Sequence, residues 1–183
     1  EVRAGDRVAY AGGAPGAYSE TRVIEARHLV PLPSKIDDRT AAALMVKGMT
    51  VQYLLRRTYR VERGDPVLIH AAAGGVGLLL CRWAKHLGAT VIGTVGSDAK
   101  AESARSAGCD HVIVSTRENF VERVREITDG GGVPVVYDSV GRDTWEGSLD
   151  CLRPLGMMVS YGNASGPVPP FAPGVLAQKG SLF

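Results

Sequence analysis

The sequence has few cysteines, no long apolar run and no excess of one charge, and each shortage excludes a class of protein. Its three cysteines, Cys81, Cys109 and Cys151, are too few and too far apart for a disulfide framework or a zinc knuckle. No apolar stretch reaches the roughly 18 residues that a membrane-spanning helix needs. The net charge of +2 argues against a nucleic-acid or polybasic membrane surface. We therefore expect a globular protein of a reducing compartment, the cytoplasm.

The ends of the chain have the pattern of a piece of a longer protein. The first residues, Glu1-Val2-Arg3, carry neither Met nor a signal or transit segment. The last residues, Lys179–Phe183, have the pattern of a turn followed by the first residues of a strand. We expect the chain to be cut at both ends.

The first third of the chain has the pattern of β structure. A strand at 7–10 is followed by a turn rich in glycine and by extended backbone over 17–24. Over 34–60 the apolar side chains follow helical spacing, with Gly48 as the predicted joint between two short helices. These helices are expected to lead into a second domain.

The rest of the chain alternates between strands and helices. Its strands are short and almost wholly apolar, which is typical of strands buried on both faces of a parallel sheet. Strands are predicted at 67–71, 90–95, 111–114, 133–137 and 157–161. Strands separated by helices of this length predict right-handed βαβ units. The predicted fold class is therefore α/β, a doubly wound parallel (Rossmann) sheet.

The helices between these strands have recognisable starts and ends. The first, over 76–87, is expected to end before Gly88, and the second to start near Asp98. Thr116 is the predicted cap of the third helix. The spacing of Asp143 and Glu146 predicts a capping box at the start of the fourth.

The sequence Ala72-Ala73-Gly74-Gly75-Val76-Gly77 stands where a dinucleotide-binding loop is found, after the first strand and at the start of the first helix. Gly74 lets the backbone approach a pyrophosphate, and Gly77 lets the helix pack closely on the strand. The free amides of the helix start suit a phosphate. Ala72 replaces the usual first glycine. A tight turn without a ligand is the alternative.

The end of the second strand favours NADP over NAD. An NAD site has Asp or Glu here for the ribose 2′-hydroxyl, whereas Val95 and Gly96 are not acidic. Ser97 and Lys100 are able to donate to a 2′-phosphate. Asp98 is the rival ribose ligand, although its place just before a helix favours an N-cap.

Several motifs together resemble the zinc-independent, zeta-crystallin-like quinone oxidoreductases of the medium-chain dehydrogenase/reductase superfamily. The motifs are Gly5–Val8, Ala42–Thr50, Ala71–Gly77, Tyr137–Gly141 and Gln178–Ser181. This resemblance covers essentially the whole chain. It implies that residues 1–33 are the latter part of a GroES-like domain, 34–60 are linking helices, and 61–183 are a Rossmann domain cut at its sixth strand.

The resemblance also implies a function, the reduction of a small-molecule quinone by hydride from NADPH. It places Ser97 and Lys100 at the 2′-phosphate, Gly75 and Val76 at the pyrophosphate, and Thr50, Tyr53 and Tyr161 nearer the nicotinamide. The predicted cofactor-binding set also includes Gly74, Gly77, Gly96 and Ser115. Ser115 stands where relatives carry a tyrosine, so one contact on the 2′-phosphate side is lost or replaced by a smaller hydroxyl. No catalytic side chain is assigned. A homodimer is expected for the full-length protein, and the isolated piece is expected to be inactive because the substrate cleft needs the missing residues.

Zinc is not expected. Residues 8–30 contain no cysteine, and Lys47 occupies the position at which zinc-dependent relatives carry a cysteine ligand. An ammonium group is a poor zinc ligand. Hydride transfer to an electrophilic quinone needs orientation more than a Lewis acid, because the cofactor carries the chemistry.

Two other functions stay open. The first is an NADPH-dependent enone or alkenal reductase, which would use the same cofactor. The second is a non-catalytic NADPH-binding protein that senses redox state or binds RNA, for which the basic run over 56–60 is the only support. The four histidines have no metal or triad spacing and are interpreted as structural or solvated.

Overall fold

The computed structural model describes residues 2–183 and divides them into two compact units. The first unit comprises the described residues up to Thr50, and the second is Val51–Phe183. The division falls inside one helix. No helix among residues 2–183 is long and apolar enough to cross a membrane.

The first unit has little regular β structure. Strand β1 (Val8–Ala9) pairs antiparallel with β2 (Val30–Pro31). The predicted extended stretch at 17–24 forms no strand, since no described residue pairs with its backbone and Val23 is fully exposed. The β region is therefore smaller than its sequence pattern suggests.

One continuous helix follows, α1 (Asp38–Tyr53), with a π-helical turn at Leu54–Thr58. The predicted break at Gly48 is wrong. A Cβ added at Gly48 would meet nothing within 4 Å, and one glycine in a helix costs only about 1 kcal/mol. The change of helical geometry occurs beyond Tyr53 instead.

The second unit is a five-stranded parallel sheet in the order β5-β4-β3-β6-β7. The strands are β3 (Pro66–Ile69), β4 (Thr90–Val95), β5 (His111–Val114), β6 (Val133–Asp138) and β7 (Leu152–Ser160). The helices are α2 (Gly75–His86), α3 (Asp98–Ser106), α4 (Phe120–Ile127), α5 (Trp145–Cys151) and α6 (Gly174–Gln178). This topology confirms the predicted Rossmann fold class.

Both faces of this sheet are buried, which explains its continuous apolar strands. Successive side chains of a strand point to opposite faces. Val67 and Ile69 accordingly belong to one apolar cluster, and Leu68, which lies between them, belongs to the other. All six side chains of β6 are buried, so this strand lies at the centre of the packing.

Two predicted helix starts are wrong. The cap of α4 is Asn119, not Thr116, and Asn119 Oδ1 accepts a hydrogen bond from Val121 N at 3.0 Å. The capping box at Asp143 is not formed either. Helix α5 begins at Trp145, so Thr144 and not Asp143 holds the cap position, and the Thr144 side chain accepts no bond from the helix amides. The Thr144 hydroxyl donates to Asp138 Oδ2 at 2.7 Å.

The last residues lie beside β7 and are hydrogen-bonded to it, although residues 181–183 are not a regular strand. Helix α6 was not expected from the sequence. After it, Phe183 N donates to Gly156 O at 2.9 Å and Met158 N donates to Phe183 O at 2.8 Å. The edge of β7 is thus hydrogen-bonded by residues that follow α6.

Candidate dinucleotide-binding site

The chain turns sharply where β3 ends. Ala71 adopts a positive φ of 51°, and Gly74 N donates to Ala71 O at 2.8 Å. Ala72 N donates to Thr94 O at 2.9 Å, so the loop is fixed to the end of β4. The loop therefore carries the chain from the carboxyl end of β3 directly into α2.

Gly77 is required by the closeness of this turn. A Cβ added there would lie 2.3 Å from Ala71 O and 2.8 Å from the Ala72 carbonyl carbon. Backbone atoms cannot move aside as a flexible side chain can. The first turn of α2 consequently packs against its own loop, in agreement with the role predicted for this glycine.

The start of α2 presents free amide groups. The first helical hydrogen bond, from an amide to the carbonyl four residues earlier, is donated by Leu78 N to Gly74 O at 2.9 Å. The amides of Gly75, Val76 and Gly77 have no acceptor among residues 2–183. Three free N–H groups at the positive end of a helix dipole form a cradle for an anion, and a phosphate fits it.

A second turn stands beside the first, where β4 runs into α3. Val95 ends the strand, and Lys100 N donates to Ser97 O at 3.1 Å in the first turn of the helix. A cavity of about 150 Å³ connects the two turns. Its lining is Ala71, Ala73, Gly74, Val95, Gly96 and Lys100. The structure thus brings Gly74 of the predicted pyrophosphate loop to the same cavity as Gly96 and Lys100, whereas Gly75, Val76, Gly77 and Ser97 do not line it.

Asp98 is not the N-cap of α3. Ser97 precedes the helix, and Asp98 is its first residue. The Asp98 carboxylate accepts a hydrogen bond from Arg117 Nη2 at 2.8 Å. The sequence interpretation missed Arg117, because nothing in the spacing of the two residues signals that neighbouring turns bring them together.

Ser115 follows β5 directly and lies beside the end of β4. Its amide and its hydroxyl both donate to Val95 O, at 2.9 and 3.2 Å. It lines a cavity of about 380 Å³ that shares Ala71, Val95 and Gly96 with the smaller one. The other lining residues are His70, Thr94, Phe120, Val140, Asp143 and Thr144. The Ser115 hydroxyl is therefore already hydrogen-bonded to the backbone.

A buried chain of polar side chains supports this edge of the sheet. His70 shares hydrogen bonds with Thr94 Oγ1 and Ser148 Oγ, both at 2.9 Å, and Ser148 Oγ donates to Asp138 Oδ2 at 3.2 Å. Because Ser148 donates its proton to the carboxylate, its oxygen accepts a hydrogen bond from His70 Nε2–H. His70 Nδ1 then carries no proton and accepts a hydrogen bond from the Thr94 hydroxyl. Burial lowers the pKa of His70 to about 4, and the negative charge of Asp138, which by itself raises this pKa, offsets only part of that effect.

Asp138 is the acceptor at the end of that chain. Its Oδ1 accepts from the amides of Val140 and Gly141, at 2.7 and 3.0 Å, and Thr144 Oγ1 donates to Oδ2 at 2.7 Å. One buried carboxylate thus ties together the end of β6 and the start of α5. Sequence analysis left this network out, although an acid at the end of a strand is a recognisable signal.

Tyr161, Tyr53 and Thr50 lie outside the group of residues around Gly96. Tyr161 follows β7, its amide donates to Asp138 O at 2.8 Å, and burial raises the pKa of its hydroxyl. Tyr53 ends α1 and is 41% exposed. Thr50 belongs to the first unit, where its hydroxyl donates to Val46 O at 2.8 Å. Their placement along a cofactor stays a prediction.

All three cysteines are buried, and two of them touch. Cys109 Sγ lies 3.3 Å from Cys81 Sγ, and this hydrogen bond together with burial raises the pKa of Cys81. A thiol held protonated is a poor nucleophile. Within residues 2–183, no group of three or more His, Cys, Asp or Glu side chains is arranged to hold a metal ion.

The parallel sheet, the tight loop after its first strand and the free amides of α2 define a Rossmann-type dinucleotide-binding domain. A profile described as zinc-binding dehydrogenase matches residues 75–182. The chain therefore belongs to the zinc-binding dehydrogenase family, in the medium-chain dehydrogenase/reductase superfamily.

Comparison with curated proteins narrows the family assignment. The chain is 58% identical to a quinone oxidoreductase of Pseudomonas aeruginosa, over 99% of this chain and 56% of that protein. It is 53% identical to a 2-haloacrylate reductase of a Burkholderia species, over 98% of this chain and 55% of that protein. These similarities confirm the resemblance to quinone oxidoreductases. The chain spans about half the length of the curated relatives that it matches.

A solved structure matches as well. The crystal structure of Escherichia coli quinone oxidoreductase complexed with NADPH has a TM-score of 0.96 to this chain, at 56% identity. The match covers 100% of this chain and 56% of that one. The backbone of this chain therefore closely matches the backbone of a relative whose structure was solved with NADPH.

Proposed function

We propose that the protein reduces quinones with NADPH. The observation that carries the proposal is the cradle of free amides at Gly75, Val76 and Gly77, in a chain 56% identical to a quinone oxidoreductase solved with NADPH. When bound, NADPH supplies a hydride from its nicotinamide ring. The family placement alone does not fix the substrate, because function resides in sites rather than in folds.

The residues of the two turns act by binding and positioning. The three free amides and the α2 dipole hold the pyrophosphate, and Gly77 keeps the helix close enough to do so. Ser97 and Lys100 hold the 2′-phosphate, while the absence of a carboxylate at Val95 and Gly96 avoids repulsion. Lys100 supplies the charge of this contact, and Ser97 supplies a neutral hydroxyl donor.

The remaining predicted residues belong to the nicotinamide half of the cofactor. We place Thr50, Tyr53 and Tyr161 along that half as positioning residues. Holding donor and acceptor in contact contributes more to such a transfer than an acid or base does, since no proton has to move in the hydride step itself. No side chain of this chain is assigned as a catalytic acid.

Other parts of the proposal concern the whole protein. We propose that residues 2–33 belong to a GroES-like domain, that the protein is a cytoplasmic homodimer and that it binds no zinc. The lack of a cysteine over 8–30 and the place of Lys47 support the last point. Elemental analysis after purification without added metal should find less than one tenth of a zinc per chain, whereas one zinc that survives chelation would contradict it.

An NADPH-dependent reductase of activated alkenes is the second candidate, and the identity of 53% to a 2-haloacrylate reductase favours it. Both reactions deliver the same hydride to an electron-poor conjugated acceptor. NADPH oxidation by the whole protein should therefore be followed with a benzoquinone, with 2-chloroacrylate and with an enone. Faster turnover of the quinone supports the proposal, faster turnover of 2-chloroacrylate or the enone favours the reductase, and no turnover favours a binding protein.

A further inference from the structure

The start of α3 carries an acid that does not suit a phosphate site. Asp98 lies between Ser97 and Lys100, and its side chain is 75% exposed. A carboxylate at this point would repel a 2′-phosphate and would suit the 2′-hydroxyl of NADH instead. The NADP preference proposed above requires that this charge be compensated.

Arg117 compensates it. Its Nη2 donates to Asp98 Oδ1 at 2.8 Å, although the two residues are 19 positions apart in the chain. The contact arises because β5 lies next to β4 in the sheet. Arg117 N donates to Val114 O at 3.0 Å in the turn after β5, and that turn stands beside the turn after β4.

The guanidinium of Arg117 has donors to spare. Of its five N–H groups, only the one on Asp98 is used among residues 2–183, and the side chain is 60% exposed. The fold does not depend on the pair, since ion pairs this exposed contribute little to stability. A group that is charged, accessible and unnecessary for folding is available for a ligand.

We infer that Arg117 is a specificity-determining residue for the 2′-phosphate of NADPH, an inference that rests on the proposed function. It holds the charge of Asp98 away from the phosphate and offers a planar, charge-assisted donor of its own. Lys100 on the first turn of α3 and Arg117 on the neighbouring turn then bind the phosphate from two sides. Ser115, whose hydroxyl is engaged with Val95 O, is not needed for this contact.

The test compares Arg117→Gln with Arg105→Gln in the whole protein. Arg105 is a matched control, because it is another exposed arginine that pairs with an acid, Glu102, toward the other end of α3. Dissociation constants for NADPH and NADH are measured by titration calorimetry, and a thermal melt checks that each variant is folded. Arg117→Lys serves as the conservative variant.

Arg117→Gln should weaken NADPH binding about tenfold and leave NADH binding within about twofold, and Arg117→Lys should recover part of the loss. Arg105→Gln should change neither. The inference is overturned if Arg117→Gln and Arg105→Gln bind NADPH alike, or if Arg117→Gln weakens both nucleotides equally. A wild-type protein that binds NADPH no better than NADH would overturn the NADPH proposal as well, so the two failures are distinguishable.

Discussion

The two turns at the carboxyl edge of the sheet, one after β3 and one after β4, are built from different chemistry. The first presents backbone amides and is shaped by Gly77, where an added Cβ would lie 2.3 Å from Ala71 O. The second presents side chains, the half-buried Ser97 and the exposed Asp98 and Lys100, and Asp98 pairs with Arg117 of the turn after β5. A Cβ added at Gly96, between them, would meet nothing within 4 Å.

This difference separates affinity from specificity. Any dinucleotide has a pyrophosphate, so we expect the backbone cradle to bind NADH and NADPH alike. Our proposal places the group in which the two differ, the 2′-phosphate, at the turn after β4, with Arg117 of the turn after β5 beside it. Substitutions in the first turn should therefore abolish binding of both nucleotides, whereas substitutions in the second should change which of them is preferred.

The largest effect is expected for Gly77→Ala. The added methyl group would force the start of α2 away from Ala71 O, so the three free amides would no longer converge on one phosphate. Binding of NADPH and of NADH should each weaken more than 100-fold, and overpacking of this kind costs about 1–3 kcal/mol of stability. Titration calorimetry and a denaturant melt measure the two effects.

Gly48→Ala is the control for that experiment. Gly48 lies inside α1 in open space, so alanine should raise the stability slightly, by about 0.5–1 kcal/mol, and should leave nucleotide binding unchanged. Equal binding by the Gly77→Ala variant and the wild type would show that the cradle is not the pyrophosphate site.

The next effect is a change of preference with Lys100→Glu. A carboxylate in the first turn of α3 repels the 2′-phosphate and is able to accept from a 2′-hydroxyl, so the NADPH-to-NADH affinity ratio should fall roughly 50-fold, with NADH affinity unchanged or improved. Lys35→Glu makes the same change of charge in the first unit and should leave the ratio unaltered. An unchanged ratio in Lys100→Glu would remove Lys100 from the phosphate site.

A smaller effect concerns the buried chain beneath both turns. The folded-state pKa of His70, about 4, lies below its unfolded value of about 6.5, so below pH 6.5 the unfolded state binds a proton that the folded state does not. This residue alone should make the free energy of unfolding about 2 kcal/mol lower at pH 5 than at pH 8. His70→Gln should flatten that slope.

His86→Gln is the matched control, because it removes a histidine whose side chain is exposed, and its free energy of unfolding is measured over the same pH range. If His70→Gln does not fold, an NMR titration of the wild type decides the point. The His70 ring should then show no protonation above pH 5, and a midpoint near 6.5 would contradict its burial.

The smallest effect is expected for Ser148→Ala, which removes the link between His70 and Asp138. The His70 Nε2 donor loses its acceptor, and an unsatisfied buried donor costs about 1–2 kcal/mol. Ser103→Ala on the exposed face of α3 should be neutral or slightly stabilising. Equal stability of the two variants, measured in urea, would show that the chain of hydrogen bonds contributes nothing.

Much of the sheet could be predicted from the sequence, because buried parallel strands are apolar throughout and leave a strong pattern. Strands at 90–95 and 111–114 were predicted with the bounds observed. Helix starts were harder, since Thr116 and Asn119 are both good caps and only the packing of α4 decides between them. The prediction of a break at Gly48 failed for a similar reason, because one glycine does not end a helix when the residues on both sides favour helical structure.

The glycine loop could be found from the sequence because its chemistry is local. The contact of Asp98 with Arg117 could not, since it joins two turns that only the order of strands brings together. The chain from Thr94 through His70 and Ser148 to Asp138 was missed for the same reason. Side-chain partners from different βα units are decided by the tertiary structure, not by spacing.

The most direct test is a calorimetric titration of the whole protein with NADPH and with NADH in the same buffer. We expect NADPH to bind at least tenfold more tightly, and the advantage to shrink as salt is added because it depends on Lys100 and Arg117. Equal or tighter binding of NADH would contradict the account, and would make Asp98 a ribose ligand rather than a partner of Arg117.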